Sequence, residues 1–140
     1  MVNKIEAMPL SEELESFELI AKENFYKWNA ALESRNPKEV AGLYQEGAPF
    51  LPTLSNDFIQ EADETEKYFE HFLEKNPSGE IMEESVQPLS DNCYCHSGRY
   101  NFEVGSKNNR KIIEARFTFI WEKDDQGEWK IKHHHSSLRP

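Results

Sequence analysis

Basic side chains are scarce in this 140-residue chain: 16 Lys and Arg stand against 26 Asp and Glu, a net charge of −10 with neutral histidines. Such a surface repels phosphate backbones and anionic lipid, so neither nucleic acid nor membrane is expected as a partner. Long apolar runs are missing as well. No stretch approaches the roughly eighteen apolar residues of a membrane span, and "MVNKIEAMPLSEELE" lacks the continuous apolar region of a signal peptide, so a cytoplasmic location is expected. Cysteine is confined to Cys93 and Cys95. On a strand these two share a face ~6.6 Å apart, near the upper limit for a disulfide, which favours free thiols in a reducing compartment.

What the chain does have is aromatic residues, at 12%. That is enough large apolar surface for one core, and the length suits a single domain over residues 1–140, with no repeat and no linker. Apolar residues recur at Leu14, Phe17, Ala21, Phe25, Trp28 and Leu32, steps of three and four that predict one long helix with Ser11 as its cap. "RNP" ends it, and Asn36 with Pro37 opens a short helix burying Val40, Leu43 and Tyr44. "EGAPFLPTLSND" suits an edge or irregular segment because it carries proline. A third helix follows, with Asp63 as cap, Tyr68, Phe69, Phe72 and Leu73 as its buried side, and His71 on its surface.

From Glu80 the period changes to that of strands. "EIMEESVQP", "NCYCHSGRYNFEV", "KIIEARFTFIWEK" and "EWKIKHHHSS" are four strand-like runs with short connections, which predicts an antiparallel meander. Three helices packed on a curved antiparallel sheet make the expected class α+β.

The triplet His133, His134 and His135 follows Trp129 in strand register, so it reads as the end of the last strand rather than an appended tag. Strict alternation places Ile131, His133 and His135 on one face and Lys130, Lys132 and His134 on the other. Which face looks into a pocket stays open. H-x-H with His96 or Cys95 is a weak zinc signal without C-x-x-C or H-x-x-x-H nearby, so no metal or other cofactor is expected.

The tail "WKIKHHHSSLRP" after "DDQGEW", the segment "FLPTLSN", the helix "YFEHFL" and the strand "EARFTFIWE" together resemble the association (hub) domain of calcium/calmodulin-dependent protein kinase II. They are closer still to stand-alone bacterial members within the nuclear transport factor 2-like, or SnoaL-like, superfamily. The likeness runs from about Phe17 to Pro140. It implies a cone-shaped fold enclosing a deep pocket, and self-association through the sheets as a homodimer or larger oligomer. No kinase motif and no basic amphipathic helix is present, so neither kinase activity nor calmodulin binding is expected of this chain.

The resemblance also places Arg99 and Arg116 where the kinase hub carries pocket arginines, and Ser136 where it carries a third. Two guanidinium groups in a pocket suit a small carboxylate ligand, and the alternative is internal ion pairing with Glu114 or Glu103. His133 and His135 are expected beside the arginines. Tyr26 and Trp28 on the long helix, and Thr53, Ser55 and Asn56 in "LPTLSN", are further pocket candidates; core packing and turn formation are their ordinary uses. The superfamily also includes cyclases and isomerases, for which Asp57 or Glu114 would act as base and Tyr26 or Tyr100 as acid. Cys93 or Cys95 with a histidine is a minor nucleophile candidate beside the plain buried-thiol reading.

Overall fold

The computed structural model describes residues 10–140, and the start Met1–Pro9 lies outside the described residues. Helix α1 spans Leu10–Glu33, so Ser11 lies inside its first turn rather than capping it. The expected stripe faces inward at Phe17, Ala21, Phe25, Trp28 and Leu32, joined by Asn24, while Leu14 is 39% exposed. The helix ends where Arg35 takes a left-handed φ of 61° and its guanidinium donates to the carbonyls of Leu32 and Pro77, both at 2.9 Å. That contact ties the helix end to the entry of the sheet.

Helix α2 spans Pro37–Ala41, capped by Asn36, whose side chain accepts from Lys38 N at 3.0 Å. Strand β1 is only Phe50–Leu51. Helix α3 runs Ala62–Phe72 and continues into a 3-10 turn, Leu73–Lys75; its cap position is Glu61, and Asp63 belongs to the first turn. Strands β2 (Ser78–Ser90), β3 (Cys93–Val104), β4 (Lys111–Lys123) and β5 (Trp129–Leu138) form the meander. The sheet order is β1-β5-β4-β3-β2, with β1 added in parallel beside β5. The result is a cone: α1 closes one side of the curved sheet, and α2, α3 and β1 close its end.

Two bulges set which side chains point inward. In β2 the register slips between Ile81 and Glu83, so Met82 is an extra residue. This presses the Glu83 carbonyl against Gly98 so closely that an added Cβ would lie 1.9 Å from that oxygen. Backbone cannot yield as a side chain tip can, so Gly98→Ala is expected to cost about 3 kcal/mol, read as a lowered urea midpoint at unchanged slope. In β5 the pairing passes from Trp121↔Ile131 to Ile120↔His133, leaving Lys132 without an opposite residue. A bulge spends one residue without reversing the face. Ile131, His134 and Ser136 consequently point inward together, and His133 and His135 point outward.

Candidate functional site

Inside the cone, aromatic rings fill most of the space. Trp28 stacks on Tyr100 (centroids 6.3 Å, planes 7° apart) and meets Phe119 edge-on at 5.3 Å. His134, 2% exposed, lies between Phe119 at 4.0 Å and Phe50 at 5.0 Å, nearly parallel to both. Among these rings runs a line of polar groups. The Trp28 indole N–H donates to the Tyr44 hydroxyl at 3.3 Å, and that hydroxyl meets His134 Nδ1 at 2.8 Å. His134 Nε2 meets the Tyr100 hydroxyl at 3.3 Å, which donates to Ser136 Oγ at 2.5 Å. Ser136 in turn bonds the Thr53 hydroxyl, and the Tyr68 hydroxyl donates to the Thr53 carbonyl at 2.7 Å. The space left beside Thr53, Tyr68, Tyr100, His134 and Ser136 is about 10 Å³, room for about one water molecule.

Among the described residues, no carboxylate, Lys or Arg lines this space. Burial pushes the phenols of Tyr44 and Tyr100 well up, and it holds the His134 imidazole well below its ordinary range, helped by His133 and His135. The line is therefore neutral. His96 is a second buried imidazole: burial lowers its pKa, partly offset by Glu84, whose carboxylate lies 2.9 Å from Nε2, and Nδ1 has no partner among the described residues. An unfolded chain protonates these histidines near pH 6.5 whereas the folded one resists, so the unfolded state binds more protons in acid. Their stabilisation is complete above about pH 6.5 and is lost as pH falls below it. We expect the urea midpoint to be flat between pH 8 and 7 and to drop from 6.5 to 5, at up to about 1.4 kcal/mol per pH unit for each such histidine. His134→Phe removes its share of that slope.

The residues singled out in the sequence do not converge. Trp28 and Thr53 line the cone. Ser55 lies in an outer groove of about 430 Å³ with Asn56, Asp57 and His135, and Tyr26 is 76% exposed on α1. Arg99 and Arg116 stand opposite each other on β3 and β4, on the outward face, so they do not line the cone. The reason is alternation: Tyr100, Ala115 and Phe117 take the inward positions beside them. Arg99 pairs with Glu83 at 2.9 Å instead of Glu103 or Glu114, and Arg116 approaches Ser137 Oγ at 3.4 Å. Asp57 and Glu114 are exposed and outside the cone, leaving Tyr100 as the one inward group of the four named for the cyclase chemistry. Sequence reasoning passed over Tyr44, Tyr68, His134 and Ser136 as site groups. For His134 and Ser136 the missing signal was the Lys132 bulge.

The outward face has its own order. Cross-strand register gives four rows: Glu83–Arg99–Arg116–Ser137, Ser85–Ser97–Thr118–His135, Gln87–Cys95–Ile120–His133, and Ser90–Cys93–Glu122–Lys130. The two middle rows carry no Asp, Glu, Lys or Arg, while charged residues occupy both flanking rows. Cys93, Cys95, Ile120 and His133 are half-buried here, and the two cysteines are free thiols.

Comparison with known proteins agrees with this architecture. No curated protein matches the sequence. Among solved structures, a Xanthomonas campestris protein provisionally named as a calcium/calmodulin-dependent protein kinase II association domain is 41% identical over 86% of each chain, with a TM-score of 0.82. A Novosphingobium aromaticivorans protein provisionally named scytalone dehydratase shares the fold at 17% identity, covering 92% of this chain and 89% of its own, with a TM-score of 0.76. A nuclear transport factor 2-like superfamily protein from Salmonella enterica does so at 12% identity, over 90% of this chain and 93% of its own, with a TM-score of 0.73. The family model described as calcium/calmodulin dependent protein kinase II association domain matches residues 18–140. Matched along nearly all its length, with the cone and meander of its relatives, this chain belongs to the calcium/calmodulin-dependent protein kinase II association-domain family.

Proposed function

We propose that this chain is a self-associating domain that pairs through the outward face of its sheet, as a homodimer or a larger assembly, and performs no catalysis in its cone. The observation that carries this reading is the pair of uncharged rows bordered by charged ones. A charge-poor centre with a polar rim is the anatomy of a protein interface, and an isologous pairing needs one patch that meets itself. Arg99 and Arg116 belong to the rim. Directly opposed like charges on a sheet are unfavourable, and acidic groups of a second copy would relieve them beyond what Glu83 supplies.

Family membership supports the same reading, because the relatives take their description from association. Support for the non-catalytic part comes from the cone, whose lining among the described residues lacks the carboxylate base that cyclase or isomerase chemistry uses and whose remaining space admits about one water. Native mass spectrometry at micromolar concentration tests the proposal. The expected result is a multiple of the 16.4 kDa chain mass, and a clean monomer would remove it.

A further inference from the structure

Two imidazoles stand in the uncharged rows of the outward face: His133 in the row of Cys95 and Ile120, and His135 in the row of Ser97 and Thr118. His133 is half-buried and His135 is exposed. Their surroundings hold little that could neutralise an added proton. Ile120 and Thr118 lie opposite them on β4, and Leu51 lies beside His135 on β1. Of the carboxylates nearby, Glu122 is engaged by Lys132 and Gln45, both at 3.0 Å, and Asp57 borders the outer groove that His135 lines. Among the described residues, neither histidine forms an ion pair with a carboxylate. The cations nearby oppose a proton as well: Lys132 precedes His133 in the chain, and Arg116 approaches Ser137 two residues beyond His135.

We propose that the outward face is a pH-gated interface, which pairs two copies while His133 and His135 are neutral and releases them when acid charges these rings. The inference rests on the self-association proposed above and adds its regulation. Neutral imidazoles suit a charge-poor centre. An isologous pairing brings two from each copy into it, so every charge added to one side is also added to the other. A proton on either ring would then stand where pairing removes water and where its counterpart carries the same charge.

The paired state consequently binds fewer protons than two separate copies. Pairing is at full strength above about pH 6.5, where an ordinary imidazole is neutral, and weakens as pH falls below it. Each proton that pairing excludes weakens it by up to about tenfold per pH unit. The chain as a whole pulls the other way, because its net charge of −10 makes each added proton lessen the repulsion between copies. At about 0.15 M salt that long-range repulsion is screened beyond about 8 Å, whereas charges inside a dried face are screened much less. The local effect therefore wins.

Sedimentation velocity on the full chain at pH 7.5 and pH 5.5, in about 0.15 M sodium chloride, tests the gate. The dissociation constant is expected to rise about a hundredfold or more at the lower pH, from one excluded proton or more on each copy. Circular dichroism at both pH values confirms the fold, since His134 and His96 also cost stability in acid. Joint replacement His133→Gln with His135→Gln should abolish the difference between the two pH values. His133→Arg with His135→Arg fixes the charge and should leave the chain monomeric at both. Equal pairing of the unsubstituted chain at both pH values would overturn the gate and leave self-association standing. A monomer at both would overturn the self-association on which the gate rests. Undiminished acid sensitivity in the glutamine variant, or pairing by the arginine variant as tight as that of the unsubstituted chain, would also overturn the gate.

Discussion

Replacing His134 by alanine is expected to remove about 4 kcal/mol of folding stability. The ring is held between Phe119 and Phe50 and bonds two buried tyrosine hydroxyls. Deleting it leaves a cavity the size of an imidazole and strands the Tyr44 proton and the Tyr100 oxygen in apolar surroundings. A large-to-small change of this kind costs about 3–5 kcal/mol, and one stranded polar group about 1–3. These terms overlap, because a water entering the cavity would satisfy both hydroxyls, which is why their full sum is not expected.

His134→Phe separates the two causes. It keeps the stack and loses the hydrogen bonds, so about 2 kcal/mol is expected. Adding Tyr44→Phe to it is not expected to recover that loss, because it removes the stranded Tyr44 proton but leaves the buried Trp28 indole N–H without its acceptor. Urea unfolding of the three variants at pH 7.5, above the range in which His134 takes up a proton, checks the order. A His134→Phe variant as damaged as His134→Ala would show that the hydrogen bonds, and not the stack, dominate.

The second large effect concerns pairing. Ile120 stands in the middle of an uncharged row, between Cys95 on β3 and His133 on β5. As a monomer the chain should accept Ile120→Glu at little cost, because this half-buried position faces outward. Near a twofold axis the same change places two carboxylates close together in a surface that pairing would dry. Weakening of the assembly by about a hundredfold or more is expected, with the monomer as stable as before. Light scattering at a series of concentrations, with circular dichroism to confirm the fold, reads this out. Unchanged mass at every concentration would place the interface elsewhere.

Much of the architecture was legible because it rests on periodicity. The spacing of Phe17, Ala21, Phe25, Trp28 and Leu32 and the four alternating runs after Glu80 named the long helix and the meander. Helix starts were less legible: Ser11 and Asp63 are good capping types, yet both lie within helices, and for the third helix the cap position is Glu61, since capping energies of about 1 kcal/mol yield to packing. The site was the least legible part. One extra residue at Lys132 exchanged the faces of the histidines, and it leaves no trace in hydrophobic pattern because Lys132 is an ordinary exposed lysine paired with Glu122. For Arg99 and Arg116, strict alternation with Tyr100 and Phe117 already pointed outward, and the likeness to the kinase hub pointed inward. Local geometry prevailed.

The two free thiols offer the most direct test of the central claim. Cys93 and Cys95 lie on the outward face, half-buried by their own sheet, and burial raises both of their pKa values. Pairing through this face would cover them further, whereas pairing through α1 or α3 would leave them as they are. Maleimide labelling at fixed pH should be several-fold slower at high protein concentration than after dilution, and it should lose that dependence in Ile120→Glu. Equal labelling rates at all concentrations, in a chain whose mass shows it to be assembled, would contradict association through the outward face of the sheet.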